Sequence, residues 1–204
     1  MLKKNRERTS AICALILCAA LLLGGAADHL LSCRAVRAGV VRLHVVADSD
    51  SDADQAVKLL VRDALLAESA RLLEGADTAE AAAERLTAAL PLLNRAAARV
   101  LTENGFSYGA RASVGREYFG TRAYGGVTLP AGEYTSLTVR LGAARGRNWW
   151  CVLFPPLCLP EKADRTAEAF ADAYGGAVCP AGGAEVRFRI AELAEAAWRW
   201  LRNR

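Results

Sequence analysis

The stretch "VVRLHVVADSDSDADQAVKLLVRDALL", residues 40–66, decides the fold. Its first part, Val40 to Ala47, alternates: Val41, Leu43 and Val45 point one way, Arg42 and His44 the other. Successive side chains of a strand face opposite sides, so the spacing predicts a half-buried strand. "DSDSDADQ" follows, rich in residues whose short side-chain oxygens accept from the unpaired N–H groups of a helix's first turn. From about Asp52 the apolar positions are Val57, Leu60, Val61, Ala64 and Leu65, which is helix spacing. Asp54 and Lys58 stand four apart as an ion pair on that helix.

A second helix starts at "DTAE", with Asp77 as its cap and Glu80 three residues on. Pro91 requires that one helix bends there or that two helices meet, and "ENG", Glu103 to Gly105, is a C-terminal stop. Beyond Gly105 the pattern changes. "FSYGARASVGREYF" alternates weakly, and Gly120 to Glu133 has the glycines and proline of a long ordered loop. "YTSLTVRL" is a strand with Leu137, Val139 and Leu141 on one face, and "WWCVLF" is an apolar strand ended by Pro155-Pro156. A helix over "EKADRTAEAFADAYGG", a strand at "EVRFRI" and a closing helix over "AELAEAAWRWLRNR" complete the chain. Strands after helices, then a mixed end, read as an α+β domain over residues 40–204 with a mostly antiparallel sheet and flanking helices.

The N-terminus is a separate unit. Lys3, Lys4, Arg6 and Arg8 against Glu7 put +3 of the formal +4 before residue 10 and leave +1 for the rest. That is too neutral for a general nucleic-acid binder. Residues 11–27 then run without a charge. A basic flank before an apolar run directs the chain beyond it across a membrane. Residues 1–27 are thus a signal peptide, or an anchor holding the chain in the membrane through residues 11–27, and the body is extracytoplasmic.

The aspartates Asp48, Asp50, Asp52 and Asp54 suggest a calcium loop, but positions six and twelve hold Ala53 and Leu59 where that loop needs Gly and Glu. Helix capping explains them better. A nucleophile would be Cys151 or Cys158, with His44 as base and Asp48 orienting it, if the strands are neighbours. Cys151 lies in an apolar run, where cysteines are usually inert. Six residues separate Cys151 from Cys158, outside the short spacings of structural zinc sites, so neither a metal nor another cofactor is read. In an exported domain a disulfide is the better use. Cys33, Cys151, Cys158 and Cys179 allow three pairings, of which Cys151–Cys158 across the diproline is favoured and buried thiols are the alternative. Trp149 and Trp150 are adjacent, so each face of their strand receives one.

Three strings carry a resemblance: "LHVVADSDSDADQAVKLLVRDALL", "YFGTRAYGGVTLPAGEYTSLTVRLG" and "GRNWWCVLFPPLC". In this order they resemble the stage II sporulation protein R family of endospore-forming bacteria, over roughly residues 40–158. The resemblance implies a protein made in the forespore and exported into the space between forespore and mother cell. There it activates a membrane-embedded aspartic protease, which cleaves the precursor of an early mother-cell sigma factor. The chain would be a messenger and not an enzyme. The alternatives are an extracytoplasmic cysteine-dependent hydrolase and a passive envelope protein. On the messenger reading the glycine-rich segment Tyr118 to Tyr134 is a binding loop, and Arg122, Tyr124, Glu133, Trp149 and Trp150 are the candidate contacts.

Overall fold

The computed structural model describes residues 30–124 and 127–157, with isolated positions 17, 24, 28, 174, 179 and 180. Strand β1 (Val41–Val46) is followed by helices α1 (Asp52–Leu72), α2 (Ala79–Ala88) and α3 (Leu90–Glu103). Strands β2 (Ala110–Phe119), β3 (Arg122–Tyr124), β4 (Val127–Leu129), β5 (Gly132–Leu141) and β6 (Asn148–Phe154) come next, and β7 (Cys179–Pro180) is a short bridge. A four-stranded sheet has the order β2-β5-β1-β6, and β3-β4-β7 form a second, small sheet. β1 runs parallel to β5 and antiparallel to β6, while β2 is antiparallel to β5. The fold is therefore α+β with a mostly antiparallel sheet. The parallel β1–β5 ladder arises because three helices lie between those two strands, which is the long crossover a parallel pair needs.

Local chemistry sets the helix ends. Ser51 caps α1, its hydroxyl accepting from the Asp54 N–H at 3.1 Å. Thr78, not Asp77, caps α2: Thr78 has the extended backbone of a cap, and its hydroxyl accepts from Ala81 N–H at 3.1 Å. α2 ends at Ala88 and α3 opens at Leu90, so two helices meet at Pro91, in the first turn where a missing N–H costs nothing. Gly105, at φ +80°, follows the end of α3 as a left-handed stop.

The helices cover one face of the sheet. Val41, Leu43 and Val45 of β1 and Leu137, Val139 and Leu141 of β5 pack there with Val57, Val61 and Leu65 of α1. Two expectations need correction. β1 is not half-buried, because every residue of it is buried on both faces. Its other face is covered by Cys33 and Val36, from a helical stretch over residues 30–38, and by Val127 and Leu129. Residues 120–133 are not a loop, since they contain the hairpin β3–β4 and the start of β5. Val127, Leu129, Ala131 and Gly132 are buried, and burying that backbone requires a ladder for its N–H and C=O groups. The expected helix over 161–176, the strand at 185–190 and the closing helix lie outside the described residues, apart from Tyr174. No helix among the described residues is long and apolar enough to cross a membrane; residues 11–27 lie outside them apart from 17 and 24.

The aspartate run clasps the next turn of the chain. Asp48 Oδ1 accepts from the Ala143 N–H at 2.5 Å, Asp50 Oδ1 from the Arg147 N–H at 2.6 Å, and the Asp48 carbonyl from the Arg145 N–H at 3.0 Å. Asp54 accepts from the hydroxyls of Ser49, Ser51 (2.8 Å) and Tyr108 (2.5 Å). The Ser49 and Tyr108 hydrogen bonds hold its carboxyl below the usual aspartate value of 3.8. A lowered carboxyl pKa adds stability that is complete above the unfolded value and is lost as pH falls through the folded one. Melting should therefore begin to lose this contribution as pH drops past about 3.8. Asp54→Asn should melt lower at neutral pH and lack that part of the acid limb. Parallel acid limbs in a melting series from pH 7 to pH 2 would contradict it.

Candidate functional site: the arginine and aromatic face of the sheet

The second sheet face carries charge. Arg42 and His44 of β1 stand beside Ser136 and Thr138 of β5 and Val152 and Trp150 of β6. Glu117 and Phe119 of β2 and Tyr134 of β5 extend the same face. Arg42 is fully buried. Its guanidinium lies 4.1 Å from the Phe119 ring centre, 5.0 Å from Tyr134 and 5.3 Å from Tyr124, and it donates through Nη2 to the Tyr124 hydroxyl. Burial lowers the Arg42 pKa, although Tyr124 and Tyr134 oppose the shift. Burial likewise raises Tyr124, against the pull of Arg42 and Arg122.

A second layer sits beside it. His44 Nδ1 contacts Glu117 Oε1 at 2.8 Å and His44 Nε2 contacts Asn148 Oδ1 at 2.8 Å, while Thr138 donates to Glu117 Oε2 at 2.7 Å. The imidazole stacks on Trp150 at 5.5 Å between centres and 17° between planes. Arg122, exposed on β3, lies 3.8 Å above the same indole. The Arg122 guanidinium, the Trp150 indole and the His44 imidazole thus form one stack, each contact adding cation–π or stacking attraction.

Of the five candidate contacts, the structure brings together Arg122, Tyr124 and Trp150. Trp149 is on the helix side, packed on that core with Arg62 4.9 Å over its ring. Glu133 opposes Tyr118 in the β2–β5 ladder and shares a face with Leu137, away from Arg122. The parity of the strands separates them, although they are close in sequence. Tyr124 is latched to a buried cation and is not a free contact. Sequence reasoning missed Glu117, Thr138 and Asn148, and it put Arg42 on an open face. The Arg42–His44 alternation was the available signal; what covers and completes that face comes from segments remote in the chain.

The proposed Cys151–His44 pair does not form. Cys151 is opposite Leu43 and shares its face, whereas His44 is opposite Trp150 on the other side. Cys151 is buried and disulfide-bonded. Its favoured partner, Cys158, lies outside the described residues. Asp48, the supposed orienter, is engaged with the Ala143 N–H. Among the described residues no group of three or more His, Cys, Asp or Glu side chains could hold a metal.

A model of the family described as stage II sporulation protein R matches residues 37–164. Stage II sporulation protein R of Bacillus subtilis (strain 168) is 36% identical over 118 residues, covering 58% of this chain and 53% of that protein. The chain thus spans about half the length of this curated relative. No solved structure matches. The family match contains every strand from β1 to β6, and with them the face built on Arg42, His44, Glu117, Arg122 and Trp150. With more than half of its residues inside that match, the chain belongs to the stage II sporulation protein R family.

Proposed function

We propose that this chain is an exported signal of sporulation that activates a membrane-embedded aspartic protease, which then cleaves the precursor of an early mother-cell sigma factor. Membership of the family gives the sporulation role. One observation carries the finer reading: the three strings converge on one face. His44 comes from the first, Arg122 and Tyr124 from the second, and Trp150 from the third, with Arg42 one residue ahead of the first. Arginine and tryptophan are the side chains most often found as anchors in protein interfaces. Among these groups the exposed Arg122 guanidinium lies on the Trp150 indole, and no nucleophile is poised beside a base. That favours a docking protein over the cysteine hydrolase, whose cysteine and histidine lie on opposite faces.

Export supports the same reading. The basic flank and charge-free run of residues 3–27 suit a chain delivered across a membrane, and the Cys151 disulfide suits an oxidising compartment. The test is co-expression of this chain, the protease and the sigma precursor in a non-sporulating host. Precursor cleavage should appear with the chain and be absent without it. Equal cleavage in both cases would favour the passive envelope protein.

A further inference from the structure

Arg42 holds a full charge where water does not reach. It is 0% exposed, and its Nε and Nη1 have no hydrogen-bond partner. Its one hydrogen bond is donated to a neutral phenol. Guanidinium cannot shed its proton in a protein, so the charge stays and the orphaned N–H groups are costly. The three surrounding rings compensate only in part. Arg122, of like sign, lies close enough to oppose the Arg42 charge. Neither arginine meets a carboxylate among the described residues. Glu117, the carboxylate on this face, is held by His44 and Thr138.

We propose that Arg42 is the receptor for a carboxylate side chain of the partner protein, admitted when the β3–β4 hairpin moves off it. This rests on the reading of the face as a docking surface. Tyr124 is the part of the cover that takes the Arg42 N–H, and it belongs to a hairpin of three-residue strands that pairs in the small sheet and not in the four-stranded one. Moving it would break no rung of the four-stranded sheet, while withdrawing Val127 and Leu129 from the second core. Gly120 precedes the hairpin in sequence, and glycine tolerates the backbone change that such a movement needs. Displacing Tyr124 frees Nη2. Nη2 and Nε form the side-on edge of a guanidinium that takes both oxygens of a carboxylate. Arg122 beside it steers the same sign of partner. The chemistry fits an acidic, chain-borne side chain.

The test uses the full chain in the co-expression host. Arg42→Met keeps length and apolar bulk while deleting the charge. Replacing a buried charge by an apolar group of similar shape is often neutral or stabilising, so the variant should melt as high as the parent or higher. Cleavage of the precursor should nevertheless fall at least about tenfold, because a buried charge pair with the partner is lost. Normal melting with full cleavage would overturn the proposal. If Arg42→Met does not accumulate, Tyr124→Phe decides: it keeps the ring and removes the latch. At limiting expression it should raise cleavage about threefold to tenfold, the value of one hydrogen bond; unchanged or lower cleavage overturns the proposal. Failure of the unaltered chain to trigger cleavage would remove the docking reading and this one with it.

Discussion

Gly146→Ala should lower the melting temperature by about 6–12 °C, while Gly115→Ala should leave it unchanged; overpacking costs roughly 3 kcal/mol, and a chain of this size loses about 2–4 °C per kcal/mol. The two glycines look alike in sequence. A methyl on Gly146 would sit 2.1 Å from the Ser49 carbonyl oxygen and 2.5 Å from its carbon, which are backbone atoms that cannot rotate away. Gly146 also donates its N–H to the Ala47 carbonyl at 2.9 Å. Relieving the clash means pulling the β5–β6 turn from the segment that caps α1, and so loosening Asp48 on Ala143 and Asp50 on Arg147. At Gly115, in β2, a methyl meets open space. Thermal melting of both variants by circular dichroism decides it. Equal melting would show that the clasp is loose enough to absorb a methyl group.

Arg122→Glu should cut precursor cleavage about 100-fold in the co-expression host, since reversing a charge at an interface sets like against like. Its melting should shift little. Arg122 is exposed, and its stack on Trp150 is worth only about 0.5–1 kcal/mol at such a site. Arg122→Lys should fall between, because lysine keeps the charge but not the flat face that lies on the indole. Tyr124→Ala is a poorer probe. It deletes the half-buried ring that lies 5.3 Å from the Arg42 guanidinium, so melting should fall and take cleavage with it. A folded Arg122→Glu chain that triggers full cleavage would exclude this surface.

Much of the frame was legible in the sequence because it is local. The β1 alternation, the caps on α1, the break at Pro91 and the stop at Gly105 each depend on a few neighbouring residues. The misreadings share a different cause. Arg42 looked solvent-facing because alternation reports two faces and not what covers them; its cover comes from residues 30–38 and from the hairpin. That hairpin looked like a loop because three-residue strands are too short to show a period. Asp77 and Thr78 are adjacent cap formers, and backbone angles chose between them. In the candidate site, Arg122, Tyr124 and Trp150 were found through the family strings. Glu117, Thr138 and Asn148 were not, because ladder register brings them to His44 and no motif does.

The central claim is that this chain triggers proteolysis whose chemistry belongs to its target. The direct measurement is precursor cleavage in the co-expression host with the protease's catalytic aspartate replaced by asparagine, the chain left intact. The expected result is cleavage with the intact protease and none with the substituted one, at equal levels of folded chain. Cleavage that persists with the substituted protease would contradict the account, because the peptide bond would then be broken by this chain itself.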